Sequence, residues 1–297
     1  MSDKQNICDK APLPVRRIAA VHDLSCFGRC ALTVIAPTLS AMGYQVIPIP
    51  TCLLSTHTGG FTDMYFEDMT AQMRAIIEHF DVLGLRFDAI YTGFLGSAEQ
   101  IELVGELIER FADPDTLVLV DPVMGDDGRL YSTYTTELML GMKRLCEGAT
   151  VITPNLTEAC FLCGSEYVDT ANMSREELKS FASGLCDKLA SLGAEKIVIT
   201  GMPARDGELA VYGRNVRTGE SCFYCFARCP KNYPGTGDLF ASVFLGATMR
   251  GDSFDKAIHL SADFTHRVMD YSAEFDTPTR DGVAFERFLG ELAEGER

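Results

Sequence analysis

The chain has 297 residues, 46% hydrophobic and 23% charged, which is ample for a sizeable core. Its 42 acidic against 26 basic residues give a net charge of −16 and a pI near 4.7, and this argues against a nucleic-acid or anionic-membrane surface built on Lys and Arg. No apolar run approaches the length of a membrane span. The opening "MSDKQNICDKAPLPVRR" lacks the apolar centre of a signal peptide. Residues 1–16 therefore read as a flexible polar tail, and the chain is expected in the cytoplasm with its 11 cysteines reduced.

From residue 17 onward, short β-rich runs alternate with longer amphipathic ones. "RIAAVHDL" (17–24) is a strand followed by a flexible "SCFGRC", and "ALTVIAPTLSAMG" (31–43) is a helix closed by Gly43. "YQVIPIPTCLL" (44–54) is a strand whose prolines point to an edge or irregular position. Met69, Met73, Ile76, Ile77 and Phe80 line one helical face, read as core packing. A strand in "FDAIYTGFLG" precedes a helix opened by Ser97, with Gln100 three residues on. "TLVLVDPVMG" has the unbroken apolar run of a buried parallel strand ending at Asp121. Helix 133–147, strand "ATVITPN", helices 156–164 and 174–192 and strand "KIVIT" continue the alternation. Residues 208–228 break it with two strand-like runs around "RTG", a hairpin, and two or three helices finish the chain. Repeated strand–helix units predict an α/β fold, a mostly parallel sheet with helices on both faces, as a single domain over 17–297.

Two CxxC pairs occur, Cys160/Cys163 and Cys222/Cys225. The first sits in a helical apolar run. The second lies in a strand, where a separation of three sends the thiols to opposite faces, so buried or idle thiols are expected rather than a zinc knuckle.

In such folds ligands bind at the carboxyl ends of the strands. Those ends carry His22 and Asp23, then Thr51 and His57 in "TCLLSTHTGGF", then "TGFLGS", "DPVMGDDGRLY", "TPNLTE" and "TGMP". Asp121, Asp126, Asn155, Glu158 and Asp238 would thus share one sheet edge, a set that suits a Mg²⁺–phosphate site. Each also has a plainer reading: Asp126 and Asp127 as turn formers, Asn155 as a cap, Glu158 as a first-turn residue. In "PGTGDLF" a helix begins at or near Gly237. Asp238 either complements its exposed N–H groups or stands at the rim of an anion site they form. Neither GxxxxGK[ST] nor a GxGxxG after the first strand occurs.

"GFLGSAEQ", "DPVMGDDGRLY", "ITPNLTEACFLCG" and "GTGDLFASVFLG" together resemble the pyridoxal kinase branch of the ribokinase superfamily, in family order from about residue 17 to 250. "HDLSCFGRCALTV" is similar to a bacterial subgroup called pyridoxamine kinases. The resemblance implies a ribokinase-like fold, a hairpin beside the nucleotide, and ATP-dependent phosphorylation of the 5′-hydroxymethyl of pyridoxal, pyridoxamine or pyridoxine. It implies Asp238 as general base, the amides of Gly235, Thr236 and Gly237 as an anion hole, and Asp121 and Glu158 acting on Mg²⁺. Asp126, Tyr131, Thr153 and Asn155 would contact the ATP phosphates, and Thr200 would open the adenine side. Thr51, His57 and Phe94 would belong to the vitamin pocket. A monovalent cation such as K⁺ and a homodimer are further implications.

In one place the pattern departs: Asp23 stands where many pyridoxal kinases have serine. It would meet the ligand and tune vitamer choice, or cap a turn. Hydroxymethylpyrimidine kinase is the nearest rival activity. A non-catalytic PLP-binding homologue is the rival from another class.

Overall fold

The computed structural model describes residues 15–131 and 134–293. Most of the expected tail, residues 1–14, and the expected helix start at 133 lie outside the described residues.

The chain builds β1 (Arg17–Phe27), α1 (Leu32–Ala41), β2 (Gln45–Thr56), β3 (Phe66–Asp68), α2 (Thr70–Leu83), β4 (Ala89–Thr92), α3 (Ala98–Phe111) and β5 (Leu117–Val120). A small ribbon follows, β6 (Gly125–Asp126) and β7 (Arg129–Leu130), then α4 (Thr136–Glu147), β8 (Val151–Ile152), α5 (Leu156–Leu162) and α6 (Arg175–Ala190). The rest is β9 (Lys196–Ala204), β10 (Glu208–Asn215), β11 (Ser221–Ala227), α7 (Thr236–Arg250), α8 (Phe254–Ala273) and α9 (Leu289–Ala293).

Nine strands form one sheet in the order β11-β10-β9-β8-β5-β4-β1-β2-β3. The pairings from β2 through β9 are parallel, and antiparallel β3 and the β10–β11 hairpin complete the two edges. β1 shows why a parallel strand reads as continuously apolar. Ala19 and Val21 enter the core on one face, Ile18 and Ala20 the core on the other, and all four are fully buried. Val120 and Ile152 continue the first core, which includes the buried faces of α2 to α6; Leu119 and Val151 belong to the second, with α1, α7 and α8.

The expected alternation of strands and helices is present, with instructive differences. β1 does not give way to a flexible segment after Leu24. It passes a bulge at His22–Leu24 and stays paired to β2 through Phe27, opposite Thr56, so its edge-lying partner also runs on beyond the expected end at Leu54. β9 likewise outruns "KIVIT", because its second half pairs antiparallel with β10. Pro48 and Pro50 lie where β2 has no second partner, since β3 pairs only with Cys52–Leu54. Cys222 and Cys225 fall on opposite faces of the hairpin, packed against different cores. Among the described residues no helix is long and apolar enough to cross a membrane.

Candidate active site

β1 is flanked by β2 on one side and β4 on the other, so the chain's winding reverses there, and the carboxyl ends of the strands open into a crevice. The cleft has a volume of about 430 Å³. Asp23, His57, Phe94, Asp121, Asp126, Tyr131, Thr153, Asn155, Glu158, Thr200 and Gly235 through Asp238 all line it. A larger recess, about 610 Å³, lies behind the loop at Cys26–Arg29 against α8. Its Arg29 is already paired with Glu286, and it lacks the convergence of carboxylates and amides that marks the first cleft.

The glycine-rich turn ends in α7, whose N-cap is Gly235 with φ 77° and no capping side chain. The helix begins at Thr236, one residue before its expected start. A Cβ on Gly235 would sit 2.1 Å from the Arg29 carbonyl oxygen, so both the left-handed backbone and the close approach require glycine. No side chain caps the helix, and its first-turn residues Thr236 to Asp238 line the cleft.

Asp238 in the first turn is held by a loop more than two hundred residues earlier. Its Oδ2 accepts the Ala31 N–H at 2.8 Å and the Cys30 thiol at 3.5 Å. Both donors favour the ionised carboxylate, but burial outweighs them and raises its pKa from 3.8 to about 6. Ala31 takes φ 49° and ψ −131°, a conformation alanine rarely adopts. The loop is fixed from outside by the Arg29 N–H to the Asp281 carbonyl and by Thr33 Oγ1 donating to the Cys30 carbonyl. Neither Cys30 nor Ala31 was marked by the sequence. The nearest signal was the glycine of "FGRC".

Asp121 closes β5, and Glu158 occupies the first turn of α5. Both are buried, and burial together with the neighbouring negative charge raises both carboxyls well above the usual range. Glu158 also completes a capping box: its oxygens accept from Asn155 N (2.8 Å) and Met124 N (3.2 Å), while Asn155 Oδ1 accepts from Glu158 N. Asn155 Nδ2 donates to the Gly125 carbonyl at 2.8 Å, tying the β6–β7 ribbon to the cleft. Here the plain reading as cap and first-turn residue and the placement in the cleft hold together. Two buried carboxyls beside Asp126 form an oxygen-rich set that suits a hard divalent cation.

On the other side, Asp23 is buried and accepts a hydrogen bond from Ser25 at 2.8 Å, and burial raises its carboxyl. Thr51 is not part of the lining: fully buried, it donates to the Phe94 carbonyl at 3.1 Å and so fixes a segment that does face the cleft. Gln100, expected only as part of a cap, is fully buried. It donates to Thr51 O and Asp68 and accepts from Gly96 N. His57 has no free ring nitrogen. Nδ1 accepts from Gly59 N at 3.0 Å, so Nε2 carries the proton and donates to Arg280 O at 2.7 Å. His22 lies behind this wall, buried and held neutral with its pKa lowered to about 3 by burial. Thr200 and the hairpin's Leu209 and Arg228 border the far end.

A buried carboxylate, a glycine-capped helix start and two further buried carboxyls converging on one cleft have the chemistry a phosphoryl-transfer centre needs. A sequence model of the family described as phosphomethylpyrimidine kinase matches residues 18–280. A pyridoxine/pyridoxal/pyridoxamine kinase of Bordetella avium is 30% identical over 286 residues, covering 89% of this chain and 90% of the relative. A Bacteroides thetaiotaomicron protein, described as a phosphomethylpyrimidine kinase and crystallised in an orthorhombic form with pyridoxal, superposes with a TM-score of 0.86 at 41% identity, covering 94% and 96% of the two chains. The pyridoxal kinase of Lactobacillus plantarum superposes with a TM-score of 0.83 at 29% identity, covering 93% and 96%. The chain belongs to the pyridoxal kinase/phosphomethylpyrimidine kinase family of the ribokinase superfamily and is an ATP-dependent kinase of that family.

Proposed function

We propose that this kinase transfers the γ-phosphoryl group of ATP to the 5′-hydroxymethyl of a vitamin B6 vitamer: pyridoxal, pyridoxamine or pyridoxine. The observation that carries this reading is Asp238, raised towards neutral pKa and set among the unobstructed amides that open α7. Support for the acceptor comes from the relative crystallised with pyridoxal and from the B. avium relative named for all three vitamers.

In this mechanism Ala31 and Cys30 occupy Oδ2 of Asp238, which leaves Oδ1 to accept the hydroxyl proton. The alcohol oxygen then bonds to the γ-phosphorus as the bond from phosphorus to the departing ADP oxygen breaks. Charge spreading over the phosphoryl oxygens meets the Gly235, Thr236 and Gly237 amides, already aligned and needing no reorganisation. Asp121 and Glu158 would hold Mg²⁺, with Glu158 fixed in place by the Met124 and Asn155 N–H groups on its two oxygens. When bound, Mg²⁺ screens the phosphate charge. Asp126, Tyr131, Thr153 and Asn155 contact the phosphate chain, while Thr200 and the hairpin border the adenine.

For the vitamer, Asp23 and Phe94 face the ring. Thr51 acts one layer back, by fixing the Phe94 segment, and His57 shapes the pocket as a clamp rather than as a ligand. The kinase works as a single domain over residues 17–297, in the cytoplasm, as a homodimer, with K⁺ a candidate activator.

ADP release by the purified chain with ATP and Mg²⁺ is measured against each vitamer and hydroxymethylpyrimidine. A vitamer is expected as the best acceptor by kcat/KM. The description of the family and of the B. thetaiotaomicron relative favours the second reading, a pyrimidine acceptor. A clear preference for hydroxymethylpyrimidine would replace the proposal with it, and no turnover of any alcohol would overturn both.

A further inference from the structure

Far from the cleft, three side chains of different chemistry converge between the outer hairpin and the helix beneath it. Cys222 stands near the start of β11, and Asp255 and His259 are one turn apart on α8. One ligand atom from each lies within 4.8 Å of the other two. We propose that Cys222, Asp255 and His259 form a site for a borderline-soft divalent transition metal, Zn²⁺ above all, unrelated to the Mg²⁺ chemistry of the cleft.

Several features argue for ligation rather than chance proximity. An i,i+4 pair puts Asp255 and His259 on one face of α8, and their side chains already meet, His259 Nδ1 lying 3.2 Å from Asp255 Oδ2. The Cys222 thiol lies within 4.8 Å of the same carboxylate, so Asp255 stands between strand and helix donors. The imidazole is held edge-on against Tyr224, two residues along β11, with ring centroids 4.3 Å apart. Its orientation is thereby set by the strand that supplies the thiol.

Zinc bonds of about 2.0–2.3 Å place tetrahedral ligand atoms about 3.5 Å apart. The three atoms need close by only about 1 Å, within reach of side-chain rotation. One S, one N and one O donor select zinc or cobalt over magnesium or calcium, which prefer all-oxygen shells. Cys222 is buried while Asp255 is exposed and His259 part-exposed, so an ion can approach from solvent and keep a water in its fourth position. Binding through Nδ1 releases the thiol proton to solvent and needs the imidazole proton on Nε2, so the 3.0 Å contact of His259 Nδ1 with the Asp255 carbonyl gives way to the metal.

The neighbouring Cys225 takes no part, because it packs against the opposite core. The site therefore does not use the CxxC spacing, and the sequence argument against a zinc knuckle does not bear on it. A bound ion would cross-link β11 to α8. Both reach the cleft at their far ends, through Arg228 just after β11 and Met269 of α8, so the metal would stiffen the nucleotide side of the enzyme.

The test is Co²⁺ titration of the full chain, followed by sulfur-to-cobalt charge-transfer absorption and d–d bands of tetrahedral intensity, then displacement by Zn²⁺. The expected result is one thiolate-bound Co²⁺ per chain, absent in Cys222→Ser and in His259→Gln and retained in Cys225→Ser and Cys30→Ser. Loss of an outer-shell partner costs about 10- to 100-fold in metal affinity, so loss of a ligand should cost at least that. Zn²⁺ should also raise the Tm of the wild-type chain and leave that of His259→Gln unchanged. His259 is partly exposed and its replacement spares the core, so a folding defect in Cys222→Ser would not blunt the test. Absence of a thiolate band in the wild type, or a band that survives either ligand substitution, would overturn the proposal.

Discussion

Asp238→Asn separates chemistry from stability, because the two should move in opposite directions. Burial raises the Asp238 carboxyl from 3.8 to about 6, although the Ala31 amide and the Cys30 thiol pull the other way. A shift of that size corresponds to about 3 kcal/mol between protonation states, and the group's partial exposure to the cleft reduces this to about 1–3 kcal/mol. Because the folded pKa lies above the unfolded one, the native state holds the extra proton between those values. Stability from this group is full below about pH 4 and is lost as pH rises through about 6.

Asparagine keeps the shape and an acceptor for Ala31 but cannot ionise. The variant should therefore melt a few degrees above wild type at pH 8, with the gap closing as pH falls towards 4. Its kcat should fall about 100- to 10,000-fold, the usual contribution of a general base, with KM for ATP little changed. In wild type, kcat/KM for the vitamer should rise with pH through about 6 and then level off. The assays are thermal melts from pH 4 to 8 and ADP release over the same range. Retained turnover would remove Asp238 as the base, and an Asn variant less stable than wild type at pH 8 would refute the account of its burial.

Gly235→Ala must relieve a contact of 2.1 Å with the Arg29 carbonyl and leave the left-handed region. A loss of at least about 2 kcal/mol in urea unfolding is expected, with kcat reduced as the amides move; wild-type values would refute the cradle. Gln100→Ala leaves Thr51 O and Gly96 N without their buried partner, costing about 2–4 kcal/mol. Its KM for the vitamer should rise while KM for ATP holds, and equal changes in both would remove the idea that this scaffold serves the vitamin side. Asp23→Ser removes a buried carboxylate lining the cleft, proposed to face the vitamer, so the ratio of kcat/KM between pyridoxamine and pyridoxal should change about tenfold. An unchanged ratio would assign Asp23 to holding Ser25 alone.

Where local chemistry decides structure, the sequence was readable. Continuous apolar runs between amphipathic segments marked the parallel strands, Ser97 marked the start of α3, and "PGTGDLF" placed the start of α7 to within one residue. Asn155 was legible as a cap and Glu158 as a first-turn residue; the structure joins them in a capping box, and both line the cleft. What escaped was set by partners distant in the chain. Nothing local to Asp23 indicates that β1 continues to Phe27, since β2 supplies the pairing. The spacing that made Gln100 a cap residue could not reveal that its amide reaches β2. His57 lines the cleft, but nothing in its local sequence indicates that Gly59 and Arg280 hold both its ring nitrogens. Ala31 carries no mark at all, because alanine advertises no tolerance for the positive φ it adopts.

The hydrogen bond from Ala31 to Asp238 joins residues 207 positions apart, and this has a bearing on synthesis. Translation delivers the amino-terminal strands and their helices long before α7 leaves the ribosome. Until then the loop at Cys30–Ala31 has no carboxylate to hold, and the Asp281 carbonyl that fixes Arg29 comes later still. If Asp238 is the base proposed above, a nascent or prematurely terminated chain that has made most of its sheet lacks it and should not turn over ATP. Catalytic competence arrives with the last fraction of the polypeptide, and a fragment ending before α7 should be inert however well its strands assemble.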